Sequence, residues 1–500
     1  MFYDNDINLK NVSYQRKKYA SFSNGVNSDY DENLLPIKYS PLTYNFNFND
    51  GSLRDGIGMS NPIFRYSENF PEMTKAIKWP ESEVITGCWL YRFWDKDLGD
   101  DRAFLIAYTV SGNFYYNNLK DSSSDMIQIE GLNFKEKPRV LTYNIDGVDT
   151  LILVSKNDGM YTWVYRQDPI KVDNVPLIKS MCVHYERLFV TTFGDNRSVW
   201  FSDNLNPTNF NIGSRDGGFI ELNDEYGGDS NKVISFDGYL YIFRDFNIAR
   251  VSAFGDQQDF SVTQLYLSNG RIYDKTVSLC GNRVMYLASD GIYSFNGSNS
   301  TKINLSIDKL FDGVDNDYAV GAYNEGCYYL ICKLNYPGDK VMHETQNQRM
   351  YNNTLIRINV NTGEMSILRG YNFVDLFLIK YHLNSEVMVS VLDMGLSRVL
   401  VVDNSGKYID EPTPKVWNSP MSDFGYPDKY KLIREIVVET SADIIIEIVA
   451  DNQSYSYRLK GKNGYQSIRP YVKGKKIAVN FISNTIGNKI SNPNIVVGYL

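Results

Sequence analysis

The residues that most often carry out catalysis or hold metals are scarce in this sequence of 500 residues. There are only three histidines, His184, His343 and His382, and none lies in an HxH, HExxH or C-x-x-C pattern. Such patterns are what brings zinc ligands together. No GxSxG, phosphate-binding or dinucleotide-binding glycine motif leads into a helical segment. The sequence therefore predicts no metal site, no activated serine and no cofactor-binding residue.

Carboxylates are common, but their spacing favours turns. The acidic loops at 312–317 and 223–225 offer oxygens that calcium prefers, yet neither fits the twelve-residue calcium loop. We interpret both as solvated acidic turns, with calcium binding left open. Asp158, Asp237 and Asp290 each precede a glycine, and Asp-Gly pairs serve the backbone geometry of hairpin turns.

A glycosidase would need two carboxylates on opposite sides of a bound sugar. In a β-propeller these would come from the starts of the strands that line the channel, where we expect mainly apolar or hydroxyl residues. Residues 155–163 only faintly echo the neuraminidase Asp box, Ser-x-Asp-x-Gly-x-Thr-Trp. We therefore predict that the protein is not an enzyme and has no catalytic residue.

The five cysteines are scattered along the chain. Cys182 and Cys280 lie in predicted first strands of different repeats, where they serve as small core residues. Cys327 and Cys332 fall in one strand and, at an odd separation, point to opposite faces, which argues against a disulfide between them. The pattern favours reduced thiols and assembly in a cytoplasm.

These sparse chemical groups are embedded in a repeated β pattern, which is clearest at 277–303. Short apolar and aromatic runs alternate there with turn signals at Gly281-Asn282, Ser289-Asp290-Gly291 and Asn296-Gly297-Ser298. Glycine and asparagine tolerate the positive φ that tight hairpins require. The segment therefore predicts a four-stranded antiparallel meander, which must stack on copies of itself or on another sheet.

Similar units recur along the chain. They begin near residues 84, 140, 180, 233, 277, 318 and 375, and the sixth carries an insertion around 338–353. A period of roughly 40–50 residues is typical of β-propellers. We predict an all-β fold, a propeller of about seven four-stranded antiparallel blades followed by a small C-terminal β-sandwich. One large irregular β-sandwich is the alternative.

Composition is consistent with this prediction. The chain has 38 tyrosines and 26 phenylalanines, and aromatic residues favour strands. The net charge of −8 argues against general nucleic-acid affinity, although a channel can still be locally basic. No apolar run is long enough to span a membrane, and the N-terminus does not resemble a signal peptide.

The sequence divides into four predicted regions. Residues 1–41 form an N-terminal extension, and residues 42–410 form the propeller, with a strand within 42–59 closing the ring. Residues 411–430 contain four prolines and predict a linker. Residues 431–500 alternate at period two and predict the C-terminal sandwich.

Several short motifs resemble bacteriophage tail hub and nozzle propeller proteins, a group that includes the stabilisation protein of podoviruses. They are Asn-Gly-Val-Asn at 24–27, Tyr-Asn-Phe at 44–46, Asp-Gly-Ser-Leu at 50–53, Val-Trp-Phe-Ser-Asp at 199–203, Asn-Pro-Thr-Asn-Phe at 206–210, and the blade at 286–297. The order of N-terminal strand, propeller and terminal sandwich is also similar to theirs.

The resemblance implies a structural virion protein of a phage tail or neck. It implies self-assembly into a ring around the DNA channel, with retention and delivery of DNA and a possible non-specific contact with the DNA in the channel. It also implies contacts with neighbouring tail, neck, portal or fibre proteins. A virion location after assembly in the host bacterial cytoplasm follows from it. The alternative is a propeller adhesin that binds a receptor or glycan, with a possible hydrolase ancestry. The two differ in whether one aromatic-lined pocket with convergent polar groups is present.

Overall fold

The computed structural model describes residues 12–500 apart from 21, 23–24, 32–33, 49–50, 68, 82, 213–216, 223–226, 269, 304, 337–349, 382–383, 394, 452 and 463. The described chain is all-β and forms a β-propeller. Short 3-10 turns lie at Gln257–Asp259, Asp274–Thr276 and Asp308–Phe311. The prediction of an all-β propeller is confirmed.

Blades 1 to 5 are separate four-stranded antiparallel sheets, each with its strands in sequence order. Blade 1 contains Ile85–Asp95, Asp100–Thr109, Asn113–Asn118 and Ile127–Asn133. Blade 2 contains Arg139–Ile145, Val148–Ser155, Gly159–Trp163 and Ile170–Val172. Blade 3 contains Ile178–His184, Arg187–Thr192, Ser198–Phe201 and Gly218–Glu221. Blade 4 contains Ser230–Phe236, Tyr239–Arg244, Asn247–Ser252 and Ser261–Leu267. Blade 5 contains Ser278–Cys280, Arg283–Ala288, Gly291–Phe295 and Ser300–Lys302.

Blades 6 and 7 share one long strand, Met365–Tyr381. Its first part pairs with the third strand of blade 6, and its second part is the first strand of blade 7. Blade 6 otherwise contains Val320–Asn324, Cys327–Cys332 and Asn352–Asn359. Blade 7 continues with Asn384–Asp393 and Leu396–Asp403, and the short strands Lys407–Tyr408 and Glu411–Pro412 extend its sheet. The predicted insertion around 338–353 lies mostly outside the described residues.

The ring closes with a strand from the start of the chain. Gly58–Ser60 pairs antiparallel with Leu396–Asp403 and so supplies the outer strand of blade 7. Blade 1 is joined to blade 7 by side chains, because the Ile85 amide donates to Ser397 Oγ (3.1 Å) and Ser390 Oγ donates to the Ile85 carbonyl (2.6 Å). This arrangement leaves no open seam between the first and last blades.

The remaining strands form two facing sheets beside the propeller. One runs in the order Phe46–Asn47, Leu53–Asp55, Lys489–Tyr499, Lys431–Thr440 and Tyr465–Ile468, with Tyr14–Lys18 and Val472–Gly474 paired to its central strands. The other runs Thr43–Tyr44, Lys415–Trp417, Ile477–Ser483, Ile444–Ala450 and Gln453–Leu459. A small two-stranded pair, Phe64–Arg65 with Thr74–Lys75, completes the strands.

The sandwich draws on segments that the sequence assigns elsewhere. Phe22, from the predicted N-terminal extension, packs edge-on against Trp417, with ring centroids 4.9 Å apart. Trp417 lies in the predicted linker and is 1% exposed. The prolines there flank a three-residue strand that pairs with a neighbouring strand on each side. The proline content predicts a linker, but the segment is part of the sheet because Trp417 is buried in the sandwich core.

Candidate functional site

Charged side chains converge at one end of the propeller channel. In each of blades 2 to 5 the first strand is the inner one, and we call the end at which these strands begin the upper face. Seven residues at or just before the starts of inner strands form what we call the channel ring. They are Lys137, Arg139, Lys179, Lys232, Asp274, Lys275 and Asp375.

Two ion pairs cross the channel at this level. Arg139 Nη2 of blade 2 lies 2.8 Å from Asp274 Oδ2, which leads into blade 5. These blades are not neighbours in the ring, so the pair spans the axis. Lys137, just before blade 2, pairs with Asp375 of blade 7 across blade 1. These two pairs cross the channel, and in each of them a carboxylate, Asp274 or Asp375, is bound to a cation from another blade.

Lys232 is the exception in the channel ring. Its side chain is half-buried, and within the described residues its ammonium group has neither an ion pair nor a hydrogen bond. Burial lowers the pKa of Lys232 to about 8, repulsion from Arg139 acts in the same direction, and Asp274 opposes them. An unpaired cation in a confined space is an energetic liability, and such liabilities concentrate at functional sites.

The charged groups around Lys232 include more cations than carboxylates. Burial on its own raises the pKa of Asp274, but Arg139, Lys275 and nearby lysines outweigh it and hold that pKa below its ordinary value. Burial lowers the pKa of Lys275. Lys179 is shared between the Asn231 amide oxygen and Asp229 at the rim, 3.6 Å away. Five cations thus face three carboxylates in a protein whose net charge is −8.

A cavity of about 570 Å³ lies in the channel next to the channel ring. Lys137 is part of its wall, and inner strands of five blades supply the rest. Representative wall residues are Cys88, Trp89, Leu141, Leu279, Ala322 and Phe377. The wall combines these apolar residues with polar ones, among them Lys137, Lys380 and Ser278.

The opposite end of the propeller, which we call the lower face, presents exposed apolar side chains. Tyr185 lies in the first turn of blade 3 and is 51% exposed, and its ring meets that of Phe254 from blade 4 at 5.3 Å. Phe254 is 70% exposed. Leu205, 58% exposed, is tied to the same turn because its amide donates to the Glu186 carbonyl at 3.0 Å. We call Tyr185, Leu205 and Phe254 the lower patch.

The backbone under the lower patch is strained. Tyr185 and Glu186 both have positive φ, at 41° and 68°. Three other blades make the equivalent turn with glycine in second place, at Gly147, Gly238 and Gly326. Two-residue turns with positive φ at both central positions strongly favour Asn-Gly or Asp-Gly. A Tyr-Glu pair held there is the kind of outlier that points to function.

The exposed charged residues in the loops that carry the lower patch are acidic. The loops that carry it expose Glu186, Asp237, Asp256 and Asp259. The same loops, at 185–186, 202–209, 237–238 and 253–260, have no exposed lysine or arginine. The patch is therefore apolar in its centre and acidic at its margin.

The one histidine in the described part of the chain makes a local contact between two blades. His184 lies on the last residue of an inner strand, where its Nδ1 and Ser235 Oγ are 2.8 Å apart, and burial lowers its pKa. His343 and His382 lie outside the described residues. In the described part of the chain, no three His, Cys, Asp or Glu side chains are grouped to hold a metal ion. All five cysteines are free.

The acidic turns serve the backbone. Asp158 accepts hydrogen bonds from Ser155 Oγ (2.6 Å) and from the Lys135 amide (3.0 Å). In the loop 312–317, Asp317 pairs with Arg271 at 2.9 Å. The other predicted acidic loop, 223–225, lies outside the described residues. Among described helices, none has the length and apolarity needed to cross a membrane.

Sequence reasoning missed both sites. It predicted mainly apolar or hydroxyl residues at the inner-strand starts, but the structure places the channel ring there. Its members are single charges spread from residue 137 to residue 375, so no local motif connects them. The only available signal was a charged residue at the same place in successive repeats. The turn at 185–186 lacks glycine and therefore escaped the turn signals.

No protein-family model and no curated protein matches the sequence. Among solved structures the chain is similar to two crystals of BBS1N in complex with ARL6DN. The one soaked with mercury has a TM-score of 0.40 at 10% identity, and the similarity covers 64% of this chain and 91% of that chain. The one soaked with lead has a TM-score of 0.39 at 10% identity, covering 65% and 97%. The assignment of a propeller rests on the strand pairing described above.

These findings correct the predictions that came from the phage resemblance. The two similar solved structures named above are BBS1N–ARL6DN complexes and not phage tail proteins. The tail or neck function, the ring of copies, the phage partners, the contact with channel DNA and the virion location are therefore wrong. The adhesin alternative has no support in the similarities either.

The motif at 199–210 shows why short similarities misled. Ser202 Oγ accepts from the Leu188 amide (2.9 Å) and donates to the Asp203 carbonyl (3.0 Å). The Asp203 amide in turn donates to the Asn209 carbonyl at 2.8 Å. The residues of the motif thus build a loop of a propeller blade, a task that unrelated propellers share.

Proposed function

We propose that this protein is a non-catalytic interaction propeller that docks a partner protein on its lower face. The observation that carries the proposal is the lower patch on its strained turn. Tyrosine and other aromatic residues dominate the energetic centres of protein interfaces. A glycine in the turn would relieve the backbone, but it would remove the exposed ring that meets Phe254.

The expected partner carries an apolar or aromatic anchor flanked by lysine or arginine. The anchor matches the exposed rings of Tyr185 and Phe254, and the basic flanks match the acidic margin of the patch. Complementary rim charges speed association and make it sensitive to salt, whereas the buried anchors determine how long the complex lasts. The proposal therefore specifies the chemistry of the partner and not its name.

The absence of catalysis is part of the proposal. Both channel carboxylates, Asp274 and Asp375, are engaged by cations across the axis. A glycosidase needs one protonated and one free carboxyl group on either side of its substrate, and neither condition suits these pairs. The cations around Asp274 hold its pKa low and so favour its ionised, paired state.

The test compares matched variants in affinity purification from cells that produce the full chain. Tyr185→Ser with Phe254→Ser removes the lower patch. Ile127→Ser with Ile170→Ser removes two comparably exposed side chains, 52% and 60%, from outer strands of blades 1 and 2. We expect one stoichiometric partner to be lost with the first pair only.

A photocrosslinking amino acid at position 254, and separately at 170, then identifies what touches each surface. The same partner must crosslink from 254 and not from 170. With that partner purified, each Ser substitution at the patch should weaken binding about 30-fold, the effect of an interface anchor worth about 2 kcal/mol. Equal loss with both variant pairs, or an unchanged partner set, would refute the proposal.

A further inference from the structure

A second site with different chemistry lies in the channel. We propose that the channel ring binds a compact, multiply charged oxyanion of the phosphate class, such as the di- or triphosphate chain. This inference concerns the upper end of the channel and is independent of the partner docking on the lower face.

The cations of the channel ring converge from several blades. Lys232 interacts electrostatically with Arg139 and Asp274, and Asp274 interacts with Arg139, Lys275, Lys232 and Lys179. Lys275 also interacts with Lys137 and Asp375. Cations from blades 2, 3, 4 and 5 thus act on one small volume. Lysine and arginine donors around phosphate oxygens form the strong, charge-assisted class of hydrogen bond.

The positive charge of the channel ring is only partly neutralised by neighbouring groups. Each of the other cations of the channel ring has a polar partner. The partners are Asp375 for Lys137, Asp274 for Arg139, Asn231 and Asp229 for Lys179, and the Asp317 carbonyl for Lys275. Lys232 has none among the described residues, although its surroundings are confined. An anion placed among these groups would supply the missing partner and relieve the repulsion between Lys232 and Arg139.

The ion pairs across the channel favour a compact ligand over an extended one. The Arg139–Asp274 and Lys137–Asp375 pairs cross the channel, so an extended chain cannot thread through without breaking both. The cavity of about 570 Å³ beside these pairs has room for a compact ligand. A short phosphate chain concentrates several charges within the reach of one cluster, and an acidic peptide does not.

The test is calorimetric titration of the purified full chain with sodium tripolyphosphate, pyrophosphate and orthophosphate at low and high salt. We expect affinity to rise with the charge of the phosphate chain and to fall as salt screens the cluster. A titration with ATP separates the two sources of this chemistry. Binding as tight as that of tripolyphosphate means that the site reads the phosphate chain of a nucleotide as well, and weaker binding means that it prefers the free chain.

Matched variants locate the binding. Lys232→Met should weaken tripolyphosphate binding about tenfold, and Lys179→Met with Lys232→Met should abolish it. Lys78→Met is the control, because Lys78 is 75% exposed outside the channel and pairs only with the exposed Asp125. The rise in melting temperature that tripolyphosphate causes should disappear in the same variants and persist in the control.

Three outcomes would overturn the proposal. The first is no binding of any phosphate, and the second is equal loss in the Lys78→Met control, which indicates general surface electrostatics. The third is tighter binding of a poly-glutamate peptide than of tripolyphosphate, because it would make the ligand an acidic protein segment. Since Lys232→Met removes an unpaired confined charge, we expect this variant to remain folded, and circular dichroism checks that.

Discussion

The two ends of the propeller differ in which unfavourable feature the folded protein keeps. At the upper face, charged side chains are drawn into the channel and mostly neutralised by pairs that cross the axis, with Lys232 left over. At the lower face, the backbone itself is strained, and the side chains it presents are apolar and exposed. Both arrangements disfavour the folded state locally. The upper face keeps a charge without a partner, and the lower face keeps apolar surface exposed to water.

This difference separates two kinds of recognition on one scaffold. Unmet charge in a confined channel selects a small anion, because ion pairs are stronger where water is partly excluded. Unmet apolar area on an open face selects a macromolecule large enough to exclude water from it. Substitutions at one end should therefore leave the function of the other end intact.

The largest expected effect comes from breaking a pair that crosses the channel. Asp274→Ala leaves Arg139 facing Lys232 and Lys275 without its carboxylate, and we expect a loss of about 2–3 kcal/mol in the free energy of unfolding. Asp259→Ala on the lower face is the control and should change stability by less than about 0.5 kcal/mol. Urea denaturation of both variants measures this, and a neutral Asp274→Ala would mean that the pair does not hold the channel together.

The next effect has the opposite sign. Lys232→Met should stabilise the protein by about 1–3 kcal/mol at pH 7, since the ordinary pKa of 10.5 is lowered to about 8 in the fold. Between these two values the unfolded chain holds a proton that the folded chain lacks, so wild-type stability should rise with pH in that window. The gain from Lys232→Met should therefore shrink above pH 8 and vanish above pH 10.5. Denaturation at several pH values tests it, and a variant that is less stable at pH 7 would contradict the description of Lys232.

A smaller effect is expected in the strained turn. Replacing Tyr185-Glu186 by Asn-Gly should stabilise the protein by about 1 kcal/mol while abolishing partner binding. The reciprocal change in blade 4, Asp237-Gly238 to Tyr-Glu, should destabilise it by a similar amount. Thermal unfolding of the two variants gives the comparison. If the first change destabilises the protein, the turn is not strained and the argument for the lower patch loses its basis.

The smallest effect is a pH dependence of anion affinity. Lys232 faces Arg139, Asp274 and Cys182. The pKa of Asp274 is held low and burial raises the pKa of Cys182 to about 12, so neither of these two groups titrates between pH 7 and 9. The ratio of the wild-type affinity for tripolyphosphate to that of Lys232→Met should fall several-fold as pH rises through 8, because the ratio cancels the titration of the ligand's own phosphates. A ratio that stays constant with pH would assign the dependence elsewhere.

The sequence predicts the propeller because each blade is a local structure. The turn at Gly281-Asn282 joins Cys280 to Arg283, and Ser289-Asp290 joins Ala288 to Gly291, as the turn chemistry predicts. The sites depend on the closure of the ring, which brings residue 139 to residue 274 and residue 137 to residue 375. No pattern within one repeat encodes those distances, and Tyr185-Glu186 violates the very turn rules that locate the other hairpins.

The most direct test of this division is the binding of the partner captured on the lower face to three forms of the full chain. These are the wild type, Tyr185→Ser with Phe254→Ser, and Lys179→Met with Lys232→Met. The account predicts that the first variant pair loses the partner and keeps tripolyphosphate, whereas the second keeps the partner and loses tripolyphosphate. Loss of the partner in the channel variant, with the lower-patch variant still binding it, would contradict the account.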